Sequence, residues 1–302
     1  MYPLDYSEPV FRPPSEWKSL ILQVTNGCSW NKCTFCEMYT AKQKAFSAKS
    51  IADLESEMQS VANAGYPVHR IFLADGDAMA LSMRRLREIL RLIQKYFPNV
   101  SRVSSYCLPR NLKNKTVEEL AELRELGLSL LYVGCESGDD KVLSLIEKGE
   151  SYASSLLALQ KIKQANIKSS VMILNGLGGP FYSEQHAKNS ARLMTEAQPE
   201  YLSTLVVSFP NGRDRFGKAF NAGCDEGAEF RLLSQHQLFQ EMEVFLSHLE
   251  LEKTIFRSDH ASNYLVLKGV LGKDKEMLLG KVRSALHQPG MIPLREEWQR
   301  GL

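Results

Sequence analysis

Between residues 19 and 210 the chain alternates short aliphatic runs with amphipathic helical periods, six times over. Strand-like runs lie at 20–24, 69–74, 100–106, 129–134, 167–174 and 201–208. Helical periods fill the gaps at 50–64, 83–97, 116–126, 141–147, 153–165 and 183–197. Ile51, Leu54, Met58 and Val61 share one helical face, and Met83, Leu86, Leu90, Ile93 and Phe97 share another. Ser50 with Asp53 reads as a capping pair, Thr116 with Glu119 as a capping box, and Gly127 as a helix stop. Strict alternation implies parallel strands joined by right-handed crossovers. Six units fall short of the eight that close such a barrel. The expected fold is therefore α/β, a partial (β/α)6 TIM-type barrel.

After residue 210 the pattern changes. Segment 211–231, rich in Gly, Asp, Arg and Lys, reads as a loop or linker. Helices at 234–249 and about 273–286 follow, with a short strand-like run at 253–257 and a polar loop at 259–264. The expected organisation is a core over 15–230 and a helical C-terminal extension over 231–302, packed on the barrel. So short a segment makes a thin domain by itself.

Apolar residues make up 44% of the 302, enough for a large core without disulfide staples. A net charge of +2 argues against a dedicated nucleic-acid surface. No apolar run reaches the ~18 residues of a membrane span. Residues 1–17 carry prolines and acids rather than a basic stretch before an apolar one, so no signal peptide is expected. Clustered thiols in such a chain fit a reducing cytosol.

Half of the six cysteines fall in nine residues: Cys28, Cys33 and Cys36, directly after the first strand. Three thiols leave one corner of a tetrahedral iron or zinc site open. In barrels of this kind functional groups gather at the C-terminal ends of the strands. The cysteine loop follows strand one, Asp75-Gly76-Asp77 follows strand two, Glu136-Ser137-Gly138 strand four, and Gly176 to Gly179 strand five. These loops are expected to meet at one mouth.

With those residues in view, the chain resembles the radical S-adenosylmethionine (SAM) superfamily. The family signature is C-x3-C-x2-C with an aromatic residue before the last cysteine. Here Phe35 holds the aromatic place and the second gap fits, while the first gap is one residue longer. The stretch Val133-Gly134-Cys135-Glu136-Ser137-Gly138, followed by Lys148-Gly149, is similar to the G-x-E-S-G segment of one branch. That branch holds oxygen-independent coproporphyrinogen oxidases, methylthiotransferases and cobalamin-dependent members. Asp75-Gly76-Asp77 stands where the family has Gly-Gly-Glu.

The resemblance implies that Cys28, Cys33 and Cys36 hold three irons of a [4Fe-4S] cluster, with SAM on the fourth. It implies reductive cleavage of SAM to a 5′-deoxyadenosyl radical that abstracts hydrogen from an unidentified substrate. Gly76 and Asp77 would accept from the methionyl amino group, Glu136 would meet the ribose, and Ser137 would be a further cofactor-binding residue. Phe35 and the glycines from Gly176 would lie beside the adenine. An electron donor such as flavodoxin or ferredoxin is the implied partner.

Plainer readings stand beside these. The three thiols also suit a zinc-stabilised binding protein with a remote ligand such as His260, or a non-catalytic iron–sulfur electron carrier. Asp75-Gly76-Asp77 also suits a simple turn, Glu136 an N-cap or salt bridge, and the glycines a loop. The stripe Arg84, Arg87, Arg91 and Lys95 lies opposite an apolar face and reads as solvated surface. Asp259, His260 and Asn263 suit a satisfied loop network or a substrate contact. Cys107, Cys135 and Cys224 read as buried small side chains without a role.

Overall fold

Hydroxyl side chains set the starts of four helices. In a computed structural model of the chain, which describes residues 4–210 and 212–301, Ser50, Ser82, Thr116 and Ser234 each cap a helix from the residue before it. The elements run β1 (Leu20–Gln23), β2 (Thr25–Asn26), β3 (Ser47–Ala48), α1 (Ile51–Asn63), β4 (Arg70–Ala74), α2 (Met83–Tyr96), β5 (Arg102–Cys107) and α3 (Val117–Glu125). Then come β6 (Leu128–Glu136), α4 (Asp140–Leu145), α5 (Tyr152–Gln164), β7 (Lys168–Asn175), α6 (Gly179–Ala197) and β8 (Tyr201–Val206). The last elements are α7 (Asp214–Gly223), α8 (Gln235–His248), β9 (Ile255–Ser258), β10 (Leu267–Val270) and α9 (Leu271–His287).

The main sheet has the order β1-β4-β5-β6-β7-β8-β9-β10, and β2 pairs with β3 in a separate ribbon. The first parallel pairs align Leu20 with Ile71, Ile71 with Val103, and Ser104 with Leu130. Tyr201 pairs with Ser170 and, on its other side, with Ile255, both parallel. Strand–helix alternation with parallel pairing is the expected partial (β/α)6 core, and C-terminal helices follow it.

Two compact units divide the chain. One comprises the described part of Met1–Asn31 with Met38–Val133 and Gln160–Ser169. In it α1 packs on α2 and α2 on α3, burying Leu54, Met58, Leu86, Leu90 and Leu120 completely. The Thr116–Glu119 capping box forms in both directions, at 3.0 and 3.2 Å. Glu16, also fully buried, accepts from Arg102 at 2.7 Å and from the Tyr132 hydroxyl at 2.6 Å. The second unit comprises Lys32–Glu37, Gly134–Leu159 and the described part of Ser170–Leu302. In it α6 packs on α8 and α8 on α9.

Three expectations need correction. Segment 211–231 is not a loop throughout: α7 occupies Asp214–Gly223, while Asn211 lies outside the described residues. Phe216 and Phe220, one turn apart, sink into an aromatic cluster with Phe230, which rescues a helix of weak local propensity. The glycine cluster is not wholly loop, because Gly179-Pro180 already belongs to α6, where proline is tolerated in the first turn. The segment after residue 231 holds the strand-like run expected at 253–257 as β9, but also a second strand that was not expected, β10. Strand β9 lies parallel to β8, and β10 returns antiparallel to β9. Residues 1–3 and 302, included in the sequence reading, lie outside the described residues.

Candidate functional site

The first unit holds Cys28 and the Asp75-Gly76-Asp77 segment. Gly27 has φ +65°, and a Cβ there would strike the Lys44 carbonyl, so only glycine fits before Cys28. Asp75 follows β4 and is fully buried against an equally buried Lys44 in an ion pair. The Tyr39 hydroxyl donates to Asp75 at 2.9 Å, and Lys44 also donates to the Ser7 carbonyl at 2.9 Å. A Cβ on Gly76 would run into the Tyr39 ring. Asp75 is thus a cornerstone that fixes the backbone of the two residues after it. Lys44→Ala leaves that carboxylate buried and unpaired, and the expected loss is about 3–5 kcal/mol of folding stability, read by urea unfolding.

Asp77 is completely buried and accepts from the backbone N–H of Ser29, next to Cys28, at 3.2 Å. The Ser29 hydroxyl donates to the same oxygen. Burial pushes the Asp77 carboxyl above the usual carboxylate range, and Ser29, Asn111 and the Arg110 charge counteract only part of that. Although Asn111 lies close, Oδ1 of Asp77 has no hydrogen-bond partner of acceptable geometry among the described residues. Arg110 stacks on the Trp30 indole, 3.6 Å from its centroid. Lys115 donates to the carbonyls of Met79 at 2.9 Å and Asn111 at 3.0 Å, and burial lowers its pKa.

The second unit holds Cys33, Phe35, Cys36 and the Glu136-Ser137-Gly138 segment. The Cys36 N–H donates to the Cys33 carbonyl at 3.2 Å, and the Thr34 N–H to the Ile146 carbonyl at 3.0 Å. Phe35 packs on the cluster that contains Phe216, Phe220 and Phe230. Arg215, on α7, donates to the carbonyls of both Cys33 and Cys36 at 3.3 Å. Glu136, at the end of β6, has φ 64°, a left-handed conformation that costs a non-glycine residue about 1–3 kcal/mol. Its Oε1 pairs with the buried Lys148 at 3.0 Å. Burial works against the Lys148 charge, but Glu136 and Cys33 outweigh it and hold the pKa above the ordinary lysine value. Lys148 also lies 5.8 Å from the Phe35 ring centroid.

Helices α6 and α8 brace the other two predicted residues. His186 meets the Ser137 hydroxyl at Nδ1, 2.7 Å, and the Leu174 carbonyl at Nε2, 3.0 Å. A carbonyl only accepts, so this network assigns the proton to Nε2 and leaves Nδ1 to accept from Ser137. The Gly176 N–H donates to Glu241 Oε1 at 2.6 Å, and the Ser183 hydroxyl donates to Oε2 at 2.6 Å. The donors of Ser137 and Gly176 are therefore committed inside the protein. Burial raises the Glu241 pKa.

The sequence reading missed Lys44, Tyr39, His186, Glu241 and Arg215. Glu241 alone had a signal, a carboxylate set among Leu238, Met242 and Phe245 on one helical face. The basic stripe is surface, with Arg87 paired to Glu122 and Lys95 to Glu55. Asp259 pairs with Lys268 at 2.8 Å, His260 with Ser262 at 2.9 Å, and Asn263 donates to the Thr204 carbonyl at 2.9 Å, so these form a satisfied loop network.

Cys28, Cys33 and Cys36 are all partly exposed. Among the described residues no group of three or more His, Cys, Asp or Glu side chains is gathered as a metal cage. The donor chemistry nevertheless fits an iron–sulfur cluster: three soft thiols in nine residues, the first of them next to Ser29, which donates to a buried carboxylate with one oxygen unsatisfied. No helix among the described residues is long and apolar enough to cross a membrane.

The chain is 20% identical over 214 residues to the heme chaperone HemW of Buchnera aphidicola subsp. Schizaphis graminum, which covers 69% of this chain and 55% of that protein. It thus spans about half the length of that curated relative, and 41% of the HemW of Bacillus subtilis. Among solved structures, coproporphyrinogen III oxidase (HemN) from Escherichia coli matches with TM-score 0.56 at 18% identity, over 76% of this chain and 52% of that one. Methylornithine synthase (PylB) matches with TM-score 0.51 at 15% identity, over 92% and 83%. These likenesses show a shared fold. A family model described as the radical SAM superfamily matches residues 22–194, more than half of the 302. By that match, the chain belongs to the radical SAM superfamily.

Proposed function

We propose that this chain is a radical SAM enzyme in which Cys28, Cys33 and Cys36 hold a [4Fe-4S] cluster and leave one iron for SAM. Bound there, the cluster supplies one electron to the sulfonium, so that a 5′-deoxyadenosyl radical becomes available for hydrogen abstraction. The observation that carries this reading is the buried Asp77 carboxylate, tied to Ser29 beside Cys28, with Oδ1 unpartnered. A buried acceptor without a donor is costly unless a ligand satisfies it.

In this reading Asp77 Oδ1 and the Gly76 carbonyl accept from the methionyl ammonium. Glu136 turns Oε1 to Lys148, and its other oxygen, Oε2, is the acceptor for ribose hydroxyls. Phe35 lines the adenine, and Ser137 and Gly176 shape that wall through their braces on α6 and α8. Residues 15–230 form the cofactor-binding core and 231–302 the extension. A low-potential donor such as flavodoxin or ferredoxin delivers the electron.

The test is anaerobic reconstitution with iron and sulfide, metal analysis, then incubation with SAM and dithionite and mass spectrometry for 5′-deoxyadenosine. Cluster uptake with 5′-deoxyadenosine formation is expected. A cluster-loaded protein that leaves SAM intact is an electron carrier instead, and zinc without iron or sulfide makes the thiols a structural site.

A further inference from the structure

Helix α7 was invisible in the sequence, yet one of its side chains grips the cysteine loop. Arg215 spans the carbonyls of Cys33 and Cys36 with its two terminal nitrogens, each at 3.3 Å. The Cys33 carbonyl also takes the Cys36 N–H, so the guanidinium bolts an existing turn across both ends. The helix that carries it is anchored by its next residue. Phe216 is 1% exposed and stands 4.5 Å from Phe230 and 4.7 Å from Phe209, ring centre to ring centre. Phe35, between the two cysteines, packs on that same cluster. Loop and helix therefore share one aromatic seat, and the guanidinium is held over the loop.

Its charge has a consequence there. Buried Lys148, whose charge also acts on Cys33, is paired with Glu136, whereas among the described residues Arg215 makes no ion pair and meets only carbonyl oxygens. We propose that Arg215 is a positioning residue whose uncompensated charge raises the reduction potential of the cluster held by the cysteine loop. This rests on the reading of Cys28, Cys33 and Cys36 as cluster ligands. One-electron reduction, by dithionite in vitro, makes the cluster and its thiolates more negative by one charge. A fixed cation alongside favours that state, since local charge and hydrogen bonding to the cluster surroundings set such potentials. Because Arg215 is exposed, the effect is screened by salt.

The experiment is an EPR-monitored redox titration of the full reconstituted chain as wild type, Arg215→Gln and Arg215→Lys, with iron content and circular dichroism recorded for each. Arg215→Gln is expected to keep its fold and iron and to lower the reduced-to-oxidised ratio at fixed potential up to about tenfold, about 59 mV for one electron. Arg215→Lys keeps the charge without the fork and is expected to stay within about half that shift. Raising salt toward ~1 M, where the Debye length is about 3 Å, narrows the gap between wild type and Arg215→Gln. Equal midpoints in iron-loaded wild type and Arg215→Gln overturn the proposal. So does an equal shift in Arg215→Lys, which makes loop geometry rather than charge the cause, or a folded Arg215→Gln that takes up no iron, which makes Arg215 a staple. Failure of the wild type itself to take up iron removes the underlying reading, an outcome distinct from all of these.

Discussion

Cys33→Ala protein, reconstituted anaerobically, is expected to emerge without its visible iron–sulfur absorption and with far less than the roughly four irons per chain of a full cluster. Cys33 is the middle donor of the three and has its carbonyl fixed by both the Cys36 N–H and Arg215. Alanine keeps that backbone arrangement and removes only the sulfur, so the loss is one of ligation rather than of fold. Cys135, on β6, cannot substitute. Cys135 is completely buried, and burial pushes its thiol pKa up to about 12, so it offers almost no thiolate at neutral pH. Cys224→Ala serves as the control and is expected to load iron like wild type. Iron and sulfide analysis of both variants decides the matter, and full loading of Cys33→Ala would remove the assignment.

Asp77→Asn is expected to weaken SAM binding by about tenfold or more, the scale of a lost hydrogen bond to a charged group. The argument is one of donors and acceptors. Ser29 offers two donors to Oδ2 of Asp77, so the amide oxygen of an asparagine turns toward Ser29. The amide NH2 then occupies the place of Oδ1 and presents a donor to the ligand ammonium. The same change is expected to raise folding stability near pH 7 by about 0.5–2 kcal/mol. The sign follows from the raised carboxyl pKa of Asp77. A folded-state pKa above the unfolded one contributes stability below the unfolded pKa, and this is lost as pH rises through the folded value. Asparagine carries no such titration. The stability gap between variant and wild type should therefore be largest near neutrality and fade in acid. Calorimetric SAM titration with the loaded protein, and urea unfolding across pH without it, check the two halves. Unchanged affinity would separate Asp77 from the ligand.

These two effects pull in opposite directions for a physical reason. Asp77 is held buried and incompletely satisfied in a place where a neutral amide folds better. Such a residue costs stability and is kept where a ligand completes it. Asp75, two residues earlier, is the contrast: with Lys44 and Tyr39 it is satisfied inside the protein. The sequence offered two equivalent aspartates around one glycine, and nothing local separates a cornerstone from a binding group.

Where periodicity spans several turns, the sequence was decisive. Leu54, Met58 and Val61 are all fully buried on α1, and the six parallel core strands fall within a few residues of their aliphatic runs. Caps written in one or two side chains, Ser50 and the Thr116–Glu119 box, form as spelled. Two short elements, β10 and α7, were not legible. Strand β10 has four residues, and α7 offers only two phenylalanines four positions apart among charged and small neighbours.

The amino-acid order alone thus determined the alternating core, its helix starts and the nine-residue run of three thiols, because each is a pattern between residues close in the chain. Tertiary structure alone decided that Glu136 pairs with Lys148, that Asp77 keeps an unsatisfied oxygen, and that Arg215 reaches the cysteine loop from a helix about 180 residues further on. Burial and charge pairing are sums over neighbours that only folding brings into range.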